Sequence, residues 1–290
     1  MDHPSNDRKS VLMFITAVLI FGTVGIFRRF IPFSSAFLAF SRGILGGLFL
    51  LLYMKLKGKT CARLPWPVLG RLALTGAVMG LNWILLFEAY NYTTVGIATL
   101  CYYMQPTIVI LLSPLLFNER LTLRKILCAL VALAGMVLVS GVLDQPPDVR
   151  AANLPGILLG LGAALFYAFV VIMNKKTSGI DACPRTTVQL LSAGLAMVPY
   201  LLFTKQSGSA PVSVAAIVLL LIVGLVHTGL AYILYFGSMK GLKAQSIALL
   251  SYIDPVAALL FSALFLGETL SGSGMLGAIF IIGSAIIAEL

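Results

Sequence analysis

Four groups able to carry charge stand inside long apolar runs of this chain: Arg42, Glu88, His227 and Asp254. A charge at the centre of a membrane helix costs about 2.5–3.5 kcal/mol on insertion scales, so each is a candidate for binding or proton movement. Asp254, directly before Pro255, can take up an amine or a proton. It can equally form a structural ion pair with Arg42 that locks two helices, the role to which Arg42 itself leans. His227 offers a protonation switch, since an imidazole titrates near physiological pH; the alternative is a neutral ring hydrogen-bonded to a neighbour. Glu88, near the end of its run, is expected to snorkel outward.

Neutral polar and aromatic groups fall in the same runs: Asn82, Trp83, Tyr102, Tyr103, Gln105, Tyr167, Tyr232, Tyr235 and Tyr252. Amides at membrane depth need partners, from a substrate or a neighbouring helix. Tyrosine and tryptophan pair an apolar face with a polar handle and suit amphipathic or cationic ligands. Pro106 and Pro255 remove a backbone donor mid-run and are expected to bend their helices. Asn82, Trp83, Tyr102, Tyr103, Gln105, Tyr167, His227, Tyr232, Tyr252 and Asp254 form the expected substrate cavity.

The elements that must hold these groups follow from composition. Of 290 residues, 60% are hydrophobic and 10% charged, against roughly a quarter charged in soluble domains. A helix of about 20 residues crosses the hydrocarbon core. Apolar runs of that length lie near 11–29, 34–54, 69–90, 94–117, 124–142, 154–173, 186–204, 212–236, 244–266 and 273–288. The expectation is an all-α integral membrane protein with ten transmembrane helices. Alternation typical of a membrane β-barrel is absent. The first run is longer than a signal peptide's and lacks its cleavage pattern, so it is read as a helix.

Ten crossings put both termini on one side. With that side inside, inner segments hold 15 Lys and Arg and outer ones 4, so both termini are expected in the cytoplasm. The net charge of +10 is thereby a topology signal and no footprint of nucleic acid. The four cysteines form no paired motif, so no disulfide framework, metal or cofactor is expected.

The segment around Pro106 is written twice. Leu100–Thr122 against Leu249–Ser271 gives 8 identities in 23 positions, all at an offset of 149. Tyr103, Pro106, Ser113, Glu119 and Leu121 answer to Tyr252, Pro255, Ser262, Glu268 and Leu270; Gln105 answers to Asp254. A proline-rich stretch, Asp144–Asn153, separates two five-helix halves, 1–145 and 150–290. Because five is odd, the halves must cross in opposite senses. Such inverted-topology repeats exchange roles in alternating-access carriers.

The pair "MQP…LLFNERLT" and "IDP…LFLGETLS" resembles the two repeats of the EamA family of the drug/metabolite transporter superfamily. Phe21-Gly22, Arg42 and Glu119 fit the first repeat, and Phe166-Tyr167-Ala168 and Glu268 the second. Asp254 stands where the family often has Glu, and Gln189 or a neighbour where a second Arg would stand. The resemblance implies a ten-helix transporter with a central cavity, exporting small metabolites more often than importing them. The expected function is therefore a secondary transporter of a small amphipathic metabolite, an amino acid or similar. It would export by alternating access at a bacterial inner-membrane type of cell membrane. Its partners would be the substrate, the lipid bilayer and a coupling proton, with the chain a monomer or homodimer. A passive facilitator of the same fold is the alternative. A membrane enzyme on lipid-linked substrates is disfavoured by short loops and scattered acids, and ATP drive by the lack of a phosphate-binding loop.

Overall fold

A computed structural model describes residues 4–58, 64–93, 98, 101–139, 154–204, 213–266 and 272–289. Cys61, Glu268, Leu270 and the stretch from Asp144 to Asn153 lie outside these residues. The described chain is helical: α1 (Pro4–Arg29), α2 (Ser35–Leu56), α3 (Trp66–Tyr92), α4 (Met104–Phe117), α5 (Leu123–Val139) and α6 (Leu154–Lys176). There follow α7 (Ala182–Ala196), α8 (Val198–Thr204), α9 (Val214–Gly224), α10 (Ala231–Ser238), α11 (Ala244–Ser251), α12 (Ile253–Leu266) and α13 (Gly272–Glu289). Among the described residues, five helical stretches are long and apolar enough to cross a membrane: 36–56, 66–89, 154–176, 182–203 and 214–241.

Local chemistry sets the starts. Ser34, Asp181 and Ser213 accept from backbone amides of α2, α7 and α9, satisfying donors that a first turn leaves open. Asn118 ends α4 in the left-handed region at φ 54°, a conformation asparagine tolerates better than most residues.

Several apolar runs are broken, two of them beside the prolines expected to bend them. The run 94–117 turns at Tyr103 and the run 244–266 at Tyr252, three residues before Pro106 and Pro255. Proline cannot donate to the carbonyl four residues back and clashes with it, which favours a turn there, although Pro114 is accommodated inside α4. Both copies of the repeat therefore break at the same position. Met197, two residues before Pro199, interrupts the run 186–204 in the same way. The run 212–236 is interrupted differently, by a π-helical turn over Leu225–Leu230. There Thr228 Oγ1 donates to the Val223 carbonyl at 2.9 Å, five residues back.

The helices of the two halves interleave. α2 packs on α7 and α5 on α13; α3 packs on α6 and α1 on α10; α1 packs on α12 and α4 on α6. Exchanging the halves maps α2–α7 and α5–α13 onto themselves and turns each remaining contact into another of the set. Small residues allow the closest crossings. A Cβ on Gly22 would meet Ala257 Cβ at 2.8 Å, and one on Gly43 the Gly194 amide nitrogen at 2.9 Å.

The repeated motif also joins the halves. Glu119, just past the end of α4, accepts from the Ala244 amide at 2.7 Å through Oε1 and the Gln245 amide at 3.1 Å through Oε2. It caps α11, whose own N-cap, Lys243, supplies no side-chain bond. Gln245 Nε2 donates to Ser113 Oγ at 2.7 Å. The serine and glutamate of the motif thus both hold the first turn of a helix from the other half. Replacing Glu119 by Ala should lower stability by about 1–2 kcal/mol, the usual cost of a lost cap. In detergent that is a fall of several degrees in Tm at about 2–4 °C per kcal/mol; an unchanged Tm would show that the cap does not stabilise the fold. Gln, which keeps one acceptor, should fall in between.

Candidate substrate cavity

Where α1, α2, α3, α4, α6, α10 and α12 approach one another they leave a cavity of about 230 Å³. Its aromatic wall comes from Phe21, Trp83, Phe87, Tyr102, Tyr103, Tyr167, Tyr232 and Tyr235. Gln105, Ser251, Arg42 and Asp254 complete the polar lining. Among the described residues Arg42 and Asp254 are its charged groups.

The breaks before Pro106 and Pro255 give the cavity its polar floor. Each places the residue one before proline, Gln105 or Asp254, in the first turn of a new helix, facing the same space. The two repeat-related positions therefore meet at one cavity, one as an amide and the other as an acid. Gln105 is 2% exposed, and its side-chain nitrogen has no hydrogen-bond partner among the described residues. Asp254 Oδ2 accepts from Tyr103 OH at 2.8 Å. The matching tyrosine crosses the other way, with Tyr252 OH 2.7 Å from Thr107 Oγ1. Each tyrosine thus ties its own half to the other.

The expected ion pair between Arg42 and Asp254 is not formed. Arg42 Nε donates to Thr228 Oγ1 at 3.0 Å, and its guanidinium carbon lies 5.6 Å from the Trp83 ring centre. A hydroxyl and an aromatic face satisfy the cation, and a phenol satisfies the acid, so opposite charges line one space without cancelling each other. The aromatic wall is built by contacts among its members. Tyr102 and Tyr167 stack at 5.5 Å and 18°, and Tyr232 packs on Phe21 at 5.1 Å and Trp83 at 6.5 Å. Tyr235 OH is 3.3 Å from Ser251 Oγ.

Of the residues expected to face substrate, Trp83, Tyr102, Tyr103, Gln105, Tyr167, Tyr232 and Asp254 line this space. Asn82, His227 and Tyr252 do not. Asn82 is fully buried between helices, where Nδ2 donates to the Ala163 carbonyl of α6 at 2.6 Å. His227 sits on the π-helical turn, with Nε2 2.8 Å from Thr23 Oγ1 and its ring edge-on to Phe27 at 4.6 Å. It faces a separate apolar cleft lined by α1, the π turn, Phe261 and Phe265. Tyr252 packs with Met136, Val256 and Ile281, against α5 and α13. Glu88, expected to reach outward, accepts from Tyr200 OH and from Asn91 Nδ2.

Arg42, Tyr235, Ser251 and the apolar members Val18, Phe21, Val24, Leu86 and Phe87 line the cavity but were not among the residues expected to do so. Their signal was spacing. Val18 and Phe21 on α1, and Trp83 and Phe87 on α3, are three or four residues apart, the spacing of one helical face.

Comparison with known proteins is consistent with this architecture. The family model described as "EamA-like transporter family" matches residues 8–141 and again 154–289. The chain is 29% identical over 267 residues to the uncharacterized transporter YxxF of Bacillus subtilis, covering 91% of this chain and 84% of that one. It is 28% identical over 266 residues to protein PecM of Dickeya dadantii, covering 90% and 85%. With a probable amino-acid metabolite efflux pump of Salmonella typhimurium it shares 28% identity over 203 residues, 66% of each chain. One crystal structure superposes with a TM-score of 0.82 over 96% of both chains at 23% identity, a likeness of fold. With two family repeats spanning the sequence, this multi-pass membrane protein belongs to the EamA-like transporter family.

Proposed function

We propose that the chain is a secondary transporter that exports a small zwitterionic metabolite, an amino acid or close relative, by alternating access. The observation that carries this reading is that Asp254 and Arg42 line one aromatic cavity while each is bonded to a neutral hydroxyl. An acid and a base that face one space and, among the described residues, do not pair with each other suit a ligand bearing both charges. The substrate ammonium would meet Asp254, its carboxylate would meet Arg42 and the Gln105 amide, and its side chain would lie among Tyr102, Tyr167 and Tyr232. The small volume favours a metabolite over a drug-sized ligand, which needs several hundred Å³. The name of the Salmonella relative, an amino-acid metabolite efflux pump, supports the same class.

In this reading the chain forms ten crossings in two inverted halves, 1–145 and 150–290, with both termini cytoplasmic. The exchange of helix contacts between the halves supports it. A proton competing with the ammonium at Asp254 would couple export to the proton gradient. The reading is tested by thermal melts of the purified protein with amino acids, amines lacking a carboxylate and acids lacking an amine. A ligand at one hundred times its Kd adds about 2.7 kcal/mol to the folded state, so zwitterions should raise Tm by several degrees and one-charge analogues by less. Stabilisation by amines alone, or by acids alone, would rule out a zwitterion substrate.

A further inference from the structure

A second polar cleft lies away from the central cavity, where α4 ends and α5 begins. It encloses about 700 Å³ and is lined by Asn118, Glu119, Arg120, Thr122, Arg124, Lys125, Lys243 and Gln245. Four of these eight are cations, three from the first half and Lys243 from the second. The acid among them, Glu119, is already held by the amides of Ala244 and Gln245. Among the described residues no carboxylate forms an ion pair with any of the four cations. Four cations against one acid around a single cleft give it a net positive field that attracts anions.

The neighbouring surface says which kind of anion. Leu115 is 80% exposed, Leu123 71% and Leu127 53%. Leu115 stands three residues before Asn118, Leu123 between Thr122 and Arg124, and Leu127 two residues after Lys125, so exposed apolar side chains adjoin the cleft residues along α4 and α5. A ligand with a phosphate at one end and hydrocarbon at the other would engage both surfaces; a free phosphate would use only the first. Arginine forks bind phosphate oxygens in pairs, and basic pockets between membrane helices hold anionic headgroups.

We propose that this cleft binds the phosphodiester headgroup of an anionic phospholipid, with its acyl chains along Leu115, Leu123 and Leu127. Arg120, Arg124 and Lys125 hold the phosphate from the first half and Lys243 from the second. The bound lipid therefore bridges the halves beside the Glu119 cap and strengthens their junction. The site requires only that this end of α4 and α5 meets a membrane face, so it stands apart from the transport reading.

The test compares the intact protein in detergent with added phosphatidylglycerol, phosphatidylcholine or inorganic phosphate, reading retained lipid by native mass spectrometry and Tm in parallel. Two variants of equal charge are needed. One carries Arg120→Gln, Arg124→Gln, Lys125→Gln and Lys243→Gln. The other carries Lys55→Gln, Lys57→Gln, Lys176→Gln and Lys240→Gln, which removes four exposed cations elsewhere. Expected are retention of about one phosphatidylglycerol and a raised Tm for the wild type and the second variant, with at least a tenfold loss of retention in the first. Equal loss in both variants would reduce the effect to general surface charge and overturn the site. Stabilisation by inorganic phosphate equal to that by phosphatidylglycerol would overturn the lipid assignment. If the fourfold cleft variant does not fold, the pair Arg124→Gln and Lys243→Gln, both on exposed side chains, is read by the same criteria.

Discussion

Asp254→Asn should abolish substrate-driven export while leaving the purified protein folded with nearly wild-type Tm. The substitution is isosteric, and an asparagine oxygen can still accept from Tyr103 OH, the hydrogen bond that holds Asp254 among the described residues. What it removes is the negative charge. A charge-assisted hydrogen bond is worth about 1.5–3 kcal/mol, so affinity for an ammonium-bearing ligand should fall about 10–100-fold at 1.4 kcal/mol per tenfold. A proton can no longer compete at that site, so any dependence of export on a pH gradient should vanish with it. Arg42→Gln provides the complementary case. It should weaken carboxylate-bearing ligands and spare simple amines, whereas Asp254→Asn should do the reverse. Tyr103→Phe leaves the acid in place and should cost less than either. Full, pH-gradient-driven transport by Asp254→Asn in proteoliposomes would remove Asp254 from the mechanism. Identical ligand profiles for the two charge variants would remove the zwitterion.

Much of this site was legible in the amino-acid order, because lipid makes polar residues conspicuous and because the Pro-to-Glu spacing repeats. The repeat locates both helix breaks, and with them Gln105 and Asp254 on either side of the chamber. Rotation about the helix axis is harder to read. Adjacent residues point about 100° apart on a helix of 3.6 residues per turn, so neighbours can part as Asn82 and Trp83 do, although Leu86 and Phe87 both reach the cavity. Trp83 faces the cavity and Asn82 the Ala163 carbonyl. Tyr252 lies between Ser251 and Asp254 and is turned outward for the same reason. His227 has a further cause, since the π-helical turn carries an extra residue and shifts the facing of all that precedes it. No proline or glycine pair marks that turn in the sequence. Its effect is to send Thr228 toward Arg42 and His227 toward Thr23.

The lining role of Arg42 depends on a different kind of information. A cation in a membrane helix is expected to seek a carboxylate, and Asp254 lies at matching depth. The outcome turned on nearby alternatives: Thr228 for the guanidinium, Trp83 for its face, Tyr103 for the acid. All three lie on other helices, so their availability is a property of packing and has no counterpart in local spacing. Arg185 shows the same principle. It is 1% exposed, and its guanidinium donates to the carbonyls of Asn174 and Phe236 at 3.0 and 2.6 Å. Two of this buried cation's nitrogens are met there by helix-end carbonyls, while its Nε has no hydrogen-bond partner among the described residues.

That packing is set by glycine, and Gly76→Ala should disrupt it more than any other single methyl addition to the described helices. An ideal Cβ at Gly76 would fall 2.2 Å from the Gln189 carbonyl oxygen and 2.7 Å from Gln189 Cα. Both are backbone atoms of α7, so no rotamer change can relieve the overlap and the helices must separate. One turn on, Gly80 meets the Ala193 carbonyl in the same way at 2.6 Å, which prevents α3 from pivoting aside. Overpacking costs typically about 1–3 kcal/mol, and more where backbone must move. Alanine's better helix propensity returns about 1 kcal/mol. A net loss of about 2 kcal/mol or more is expected, read as a fall in Tm of about 4–8 °C or as poor recovery of folded protein. Gly70→Ala is the matched control, since nothing lies within 4 Å of its Cβ; it should be neutral or stabilising by up to about 1 kcal/mol. Trp83, Leu86 and Phe87 are on the same helix as Gly76 and line the cavity. A displaced α3 must therefore also open that wall, and Gly76→Ala protein that does fold should bind substrate more weakly. If Gly76→Ala melts at or above the wild-type temperature, α3 and α7 do not cross as closely as this, and the aromatic wall that depends on their crossing is not built in this way.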